Sequence, residues 1–229
     1  MVSRGLLALL AAWALAGCFD VHAVDLLVID DFESGDLLPT DPGFGKWDDY
    51  PINTVDDGNI IIGLDSNDTQ DHSKDSLVLN AIVVDPPNGF QEHGGAAVQT
   101  KATMGAVDFT HYDRIRFDIE LKSGDRYPLS SSALVYLELG CSTVAPESGA
   151  TRNDLYVSQG VSYQAYWQST SLTLVNFGPP QWLATPIEGG RDGCLRAVDS
   201  IRFSIDAQVP DGMTGQGIMH IDNVVLLKQ

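Results

Sequence analysis

Four carboxylates crowd the end of one apolar run: LLVIDDFESGD, residues 26–36, carries Asp30, Asp31, Glu33 and Asp36. Acids set this closely repel one another unless water or a cation compensates them, so their chemistry is either solvation at a strand end or ligation of a hard divalent ion. A second such place is HIDNVVLL, residues 220–227, where Asp222 heads another apolar run. Antiparallel pairing of the first strand with the last would bring the two sets together. In a third stretch, DSNDTQDHSKD at 65–75, Asp65, Asn67 and Asp71 have only a superficial calcium-loop spacing. Gln70 stands where such a loop needs Gly and Ser76 where it needs Glu, so a solvated loop is expected.

A different chemistry is available to groups spaced two apart. In RIRFDIEL, 114–121, odd positions are apolar and even ones charged, and IRFSID at 201–206 and LVYLEL at 134–139 follow the same rule. Period-two alternation predicts strands with one face inward and one outward. The outward groups are then Arg116, Asp118 and Glu120; Tyr136 and Glu138; Arg202, Ser204 and Asp206. If these strands share a sheet they form a band of outward polar and aromatic groups able to line a ligand groove. Ordinary cross-strand pairing is the alternative. Tyr166 and Trp167, in YQAYWQ, could project into the same groove, and Trp47 and Tyr50, in the GFGKWDDYP loop, are further candidates. Trp182 reads as a core or edge plug.

These residues must be positioned by strands alone. Further candidates lie at 25–31, 59–64, 77–84, 95–103, 161–168, 170–177 and 217–227, separated by turn clusters such as DPPNG at 85–89 and APESG at 145–149. About ten strands and no run at helical spacing predict two packed antiparallel sheets in one domain. The net charge of −18, with the acids spread along the chain, argues against nucleic acid as a partner. No G-x-S-x-G, H-E-x-x-H, C-x-x-C or complete phosphate loop occurs, and His93 and His111 stand isolated, so no catalytic residues are assigned.

The amino terminus, MVSRGLLALLAAWALAGC, has one positive charge, a short apolar run and small residues before Cys18, the pattern of a secretion signal. Leu15-Ala16-Gly17-Cys18 resembles the lipobox of bacterial lipoproteins. The resemblance implies removal of residues 1–17, lipidation of Cys18, a tether over 18–24 and a surface membrane anchor, in the outer membrane if the cell has one, since Phe19 rather than Asp follows the cysteine. In such an oxidising setting Cys141 and Cys194 are expected to form a disulfide, stabilising by roughly 4 kcal/mol, with two free thiols as the alternative.

IDDFESGD, HYDRIRFDI and IDNVVLL, with GGAAVQTKATMGAVDF and VNFGPPQW in order along the chain, resemble bacterial carbohydrate-binding jelly rolls of the galactose-binding-like superfamily, and the family 11 modules in particular. The likeness extends over most of residues 25–228. It implies a jelly-roll β-sandwich over 25–229 and a structural Ca2+ tying the first strand to the last through Glu33 and Asp222, with Asp31 able to join. It also implies a groove lined by tyrosine, arginine and aspartate. The expected activity is non-catalytic binding of a polysaccharide or oligosaccharide at the cell surface. The alternatives are an envelope scaffold that binds a protein partner and, less favoured, a carbohydrate-active enzyme.

Overall fold

In a computed structural model, residues 25–52, 60–70, 73–84, 95–144, 155–158, 160–162, 165–179, 187–210 and 212–228 are described; the expectations for residues 1–24, His93 and Trp182 lie outside them. The alternating segments form strands, as the sequence predicts. In chain order these are β1 (Leu26–Asp30), β2 (Asp48–Ile52), β3 (Ile60–Asp65), β4 (Ser76–Val84), β5 (Gly95–Lys101), β6 (Arg114–Ser123) and β7 (Leu134–Gly140). After them come β8 (Leu155–Val157), β9 (Val161–Ser162), β10 (Gln168–Thr173), a six-residue helix α1 (Gly190–Leu195), β11 (Ser200–Asp206) and β12 (Thr214–Leu227).

The strands make two antiparallel sheets. The first has the order β10-β6-β12-β4-β3, and β1 pairs with the far end of β12, Leu26 opposite Leu227. First and last strands therefore lie side by side. The second has the order β2-β5-β11-β7-β8, with β9 on β7. The predicted inward residues are buried: Ile115, Phe117, Ile119 and Leu121 from the first sheet, and Val135, Leu137, Leu139, Ile201, Phe203 and Ile205 from the second. Phe117 meets Phe203 edge-on between the sheets at 4.9 Å, a geometry worth about 1 kcal/mol beyond its buried area. The Cys141–Cys194 disulfide, Cα atoms 5.1 Å apart, ties the end of β7 to α1.

Three local expectations change. Trp47 is fully buried, 6.1 Å from Phe203 and 5.8 Å from Phe32, and its Nε1 donates to Asp30 Oδ2 at 2.7 Å. It is a core residue and not a groove residue, because its indole N–H finds a buried carboxylate and has no need of solvent. Its loop also holds β2, an edge strand hidden in the sequence by Pro51, which an edge tolerates. Of the strand expected over 161–168, β9 covers Val161–Ser162, and Tyr166 and Trp167 precede β10.

Candidate functional site

On the outer face of the second sheet the register brings four strands into rows. Tyr50, Ala97, Ser204 and Tyr136 lie directly opposite one another across β2, β5, β11 and β7. The next row holds Asp48, Gln99, Arg202 and Glu138. At about 4.8 Å per strand, the two tyrosines stand about 14 Å apart with only Ala and Ser between them.

The charged groups in these rows are locked. Arg202 donates through its Nε to Glu138 Oε2 and pairs with the same oxygen through a terminal nitrogen, and Ser204 Oγ donates to Glu138 Oε1 at 2.7 Å. The same guanidinium lies over the Tyr50 ring, its Cζ 4.7 Å from the centroid, a cation–π contact that holds an otherwise half-exposed ring in place. Asp206 accepts from the backbone N–H and side-chain amide of Gln208, at 3.2 and 2.5 Å. Burial, and then the negative charge of Asp206, push the Tyr136 hydroxyl above its ordinary range, so it remains a neutral donor and acceptor.

Of the expected band, Tyr136, Glu138, Arg202 and Asp206 are together and Tyr50 joins them. Arg116 and Asp118 do not. They lie on β6, between β10 and β12 in the other sheet. The reason is physical: alternation tells which face of a strand points outward but not which sheet the strand enters. Trp167 also belongs to the other sheet, where its Nε1 donates to Asp68 Oδ1 at 3.0 Å and its ring lies 6.1 Å from that of His220. Neighbouring Tyr166 is 63% exposed. Asp48 and Gln99 were missed; alternation in AAVQT was the available signal, but the small residues of β5 conceal it.

The outer face of the first sheet gathers acids. Asp222 on β12 sits directly opposite Asp118 on β6, and the strand bulges just after it, with Asn223 in the left-handed region at φ 52°. Asn223 satisfies part of each carboxylate: its N–H donates to Asp222 Oδ1 at 2.7 Å and its Nδ2 to Asp118 Oδ2 at 3.0 Å. Glu33, in the turn after β1, accepts from Ser73 Oγ and Lys74 N–H, both at 2.7 Å, and these hydrogen bonds hold its carboxyl below the ordinary range. Burial, reinforced by the charges of Asp118 and Glu33, pushes the Asp222 carboxyl up to about 6. The Ser73 hydroxyl and the Asn223 N–H offset part of that rise, and Oδ2 is buried without a well-aligned hydrogen bond among the described residues.

The charges of Asp118 and Glu33 act on Asp222, a repulsion that a hard cation would offset, although Glu33 Oε2 already has the Lys74 ammonium 3.6 Å away. Like charges directly opposite in a sheet are destabilising, and an unpartnered buried carboxylate oxygen costs more still. Asp31 Oδ1 accepts from Thr40 Oγ1 at 2.7 Å and from the Glu33 N–H at 3.3 Å, and Asp118 stands directly opposite Asp222. The 65–70 segment is exposed at Ser66 and Asn67, as expected of a solvated loop, and anchored at Asp68. Ser76 Oγ donates to the Asp68 carbonyl at 2.7 Å, and the Asp68 carboxylate meets Lys122, Trp167 and His220.

No protein-family model matches the chain, and no curated protein does. Solved structures do. The family 11 carbohydrate-binding module of the cellulosomal cellulase Lic26A-Cel5E of Clostridium thermocellum superposes with a TM-score of 0.53 at 15% identity, over 90% of this chain and 96% of that one. A family 11 module from the same organism, in complex with a beta-1,3-1,4-mixed-linked tetrasaccharide, gives 0.52 at 15% identity, over 89% and 95%. The two-sheet β-sandwich of the carbohydrate-binding modules is therefore the fold of this chain.

Proposed function

We propose that this protein is a non-catalytic carbohydrate-binding module whose glycan site is the outer face of the second sheet. The observation that carries the reading is the row of Tyr50 and Tyr136, flanked by the Arg202–Glu138 pair. Two rings on a rigid sheet present apolar faces to the C–H surfaces of successive sugars, while small residues between them leave room for the chain. Fixed polar groups then select the hydroxyls. A guanidinium has five N–H groups, of which Glu138 takes two, so Arg202 offers donors; Asp206 and Glu138 offer acceptors. Because the ion pair is formed before ligand arrives, little ordering cost falls on binding.

Glu33, Asp118 and Asp222 would hold a structural Ca2+, joined by main-chain oxygens and water to complete six to eight ligands. The ion would neutralise the acids that crowd the junction of the first and last strands. Its role there is stability rather than sugar contact, since it belongs to the other sheet. The domain, 25–229, would be carried by the tether 18–24 from a lipidated Cys18, which places many weak sites on one surface and raises affinity for a polymer through multivalency.

The family 11 neighbour's tetrasaccharide makes mixed-linked β-glucan the first polymer to try. Native gels containing β-glucan, xylan, mannan or pectin test the reading. Retardation in one gel is the expected result. No retardation in any of them overturns glycan binding in favour of a protein-binding scaffold.

A further inference from the structure

The outer face of the first sheet holds a second group of converging ligand atoms, separate from the acids around Asp222. His220 on β12 is paired directly with Glu120 on β6, and the loop after β3 folds over both to bring in Asp68. Trp167 closes the group from the β10 side. Although on an outward face, His220 is only 3% exposed.

The atoms are arranged for a cation. His220 Nε2 lies 3.5 Å from Asp65 Oδ2. Its Nδ1 faces two other carboxylate oxygens, Glu120 Oε2 at 3.7 Å and Asp68 Oδ2 at 4.0 Å. His220 Nδ1 and Glu120 Oε2 are both buried without a hydrogen-bond partner among the described residues. The only positive charge described beside them is Lys122, whose Nζ contacts Asp68 Oδ2 and lies 2.8 Å from Glu120 Oε2 as an ion pair without hydrogen-bond alignment. It leaves Nδ1 unanswered. Lys122 is also the most accessible member, with its side chain 38% exposed against 6% for Glu120 and 4% for His220, so it can swing out.

We propose that Asp68, Glu120 and His220 form a site for a divalent transition-metal ion of the zinc class, with the Lys122 ammonium as the exchangeable cation that stands in when no metal is bound. One imidazole nitrogen with two carboxylate oxygens suits zinc, whereas calcium and magnesium select all-oxygen sets. The three ligand atoms lie within 4.8 Å of one another. Tetrahedral zinc with bonds of about 2.1 Å sets its ligands about 3.4 Å apart, so the contacts from Nδ1 must close by about 0.3 and 0.6 Å and the widest separation in the group by up to about 1.4 Å. Asp65 behind Nε2 then supplies the carboxylate–histidine–metal arrangement that fixes the ring and its tautomer.

The test is a calorimetric titration of the chelator-stripped protein with Zn2+, run in excess Ca2+ to fill the acids around Asp222. The wild type is expected to bind an equivalent of Zn2+ that His220→Gln loses, with affinity at least 100-fold weaker. Lys122→Met, which removes the competing ammonium and keeps the chain length, should tighten binding at least tenfold. Co2+ in place of Zn2+ should give visible absorption bands in the wild type, which keeps the test decisive if the His220 variant fails to fold. A titration identical in wild type and His220→Gln overturns the site, as does a wild type without Co2+ bands. Unchanged or weaker binding in Lys122→Met overturns the exchange with lysine.

Discussion

The two outward faces of this sandwich treat buried charge in opposite ways. On the second sheet, Glu138 is buried but each of its oxygens accepts a hydrogen bond, from Arg202 on one side and Ser204 on the other. On the first sheet, on the neighbouring strands β6 and β12, buried Glu120 Oε2 has the Lys122 ammonium 2.8 Å away as an ion pair, while His220 Nδ1 and Asp222 Oδ2 are buried without well-aligned hydrogen bonds among the described residues. A face whose charges are already paired suits an uncharged, hydroxyl-rich ligand, because no charge has to be desolvated alone. A face with surplus lone pairs suits cations. On the proposed reading, the sandwich assigns ligand recognition and ion binding each to its own sheet.

Unpairing the paired face should have the largest effect. Arg202→Ala strands a buried Glu138 carboxylate, and denaturant titration should show a loss of about 3–5 kcal/mol. Replacing both partners, Arg202→Met with Glu138→Leu, should recover most of it; a double variant as unstable as the single one would mean the pair is not the cause.

Pairing the unpaired face works in the other direction. Ca2+ at a hundredfold excess over its dissociation constant should stabilise the protein by about 2.7 kcal/mol, and the gain should vanish in chelator. Calorimetric melts in both conditions check it. In chelator alone, Asp222→Asn relieves the opposition to Asp118 and should stabilise by up to about 1 kcal/mol, while abolishing the response to Ca2+.

Asp30 sharpens the contrast because it is as deeply buried as Asp222 yet has donors on both oxygens, Phe32 N–H and Trp47 Nε1. Burial pushes its carboxyl up to about 6, against about 3.9 in the unfolded chain, despite the hydrogen bonds of Phe32 and Trp47. The folded state then binds the proton more tightly, so this group's contribution to stability is greatest below pH 4 and is lost as the pH rises to 6, by on the order of 2 kcal/mol. The carboxyls of Asp65, Asp68 and Asp108, held below their ordinary range, give a slope of opposite sign. The contribution of Asp30 is therefore the difference in slope between wild type and Asp30→Asn, measured in melts across this window with Ca2+ present.

Much of the fold was legible because alternation reports burial directly: Ile115, Phe117 and Ile119 face inward as RIRFDI requires, and β1 and β12 meet as their matching acidic heads suggest. The disulfide followed from an even pair of cysteines. What the residues could not tell was sheet membership. Arg116 and Arg202 have the same local pattern but lie in different sheets, because partner choice depends on chain reversals far away in sequence. Trp47 misled for a related reason, since nothing local announces that Asp30, 17 residues earlier, receives its N–H. The Asp68, Glu120 and His220 group joins a loop to two strands, so no spacing rule could reveal it.

The central claim, that the glycan site belongs to the second sheet, is tested most directly by comparing three variants in the polymer gel that retards the wild type. Tyr50→Ala and Tyr136→Ala should each weaken retention about tenfold or more, with melting temperatures close to that of the wild type. Arg116→Ala, on the outer face of the first sheet, should migrate as the wild type does. Loss of retention in Arg116→Ala, with both tyrosine variants still retained, would place the glycan on the other face and contradict the account.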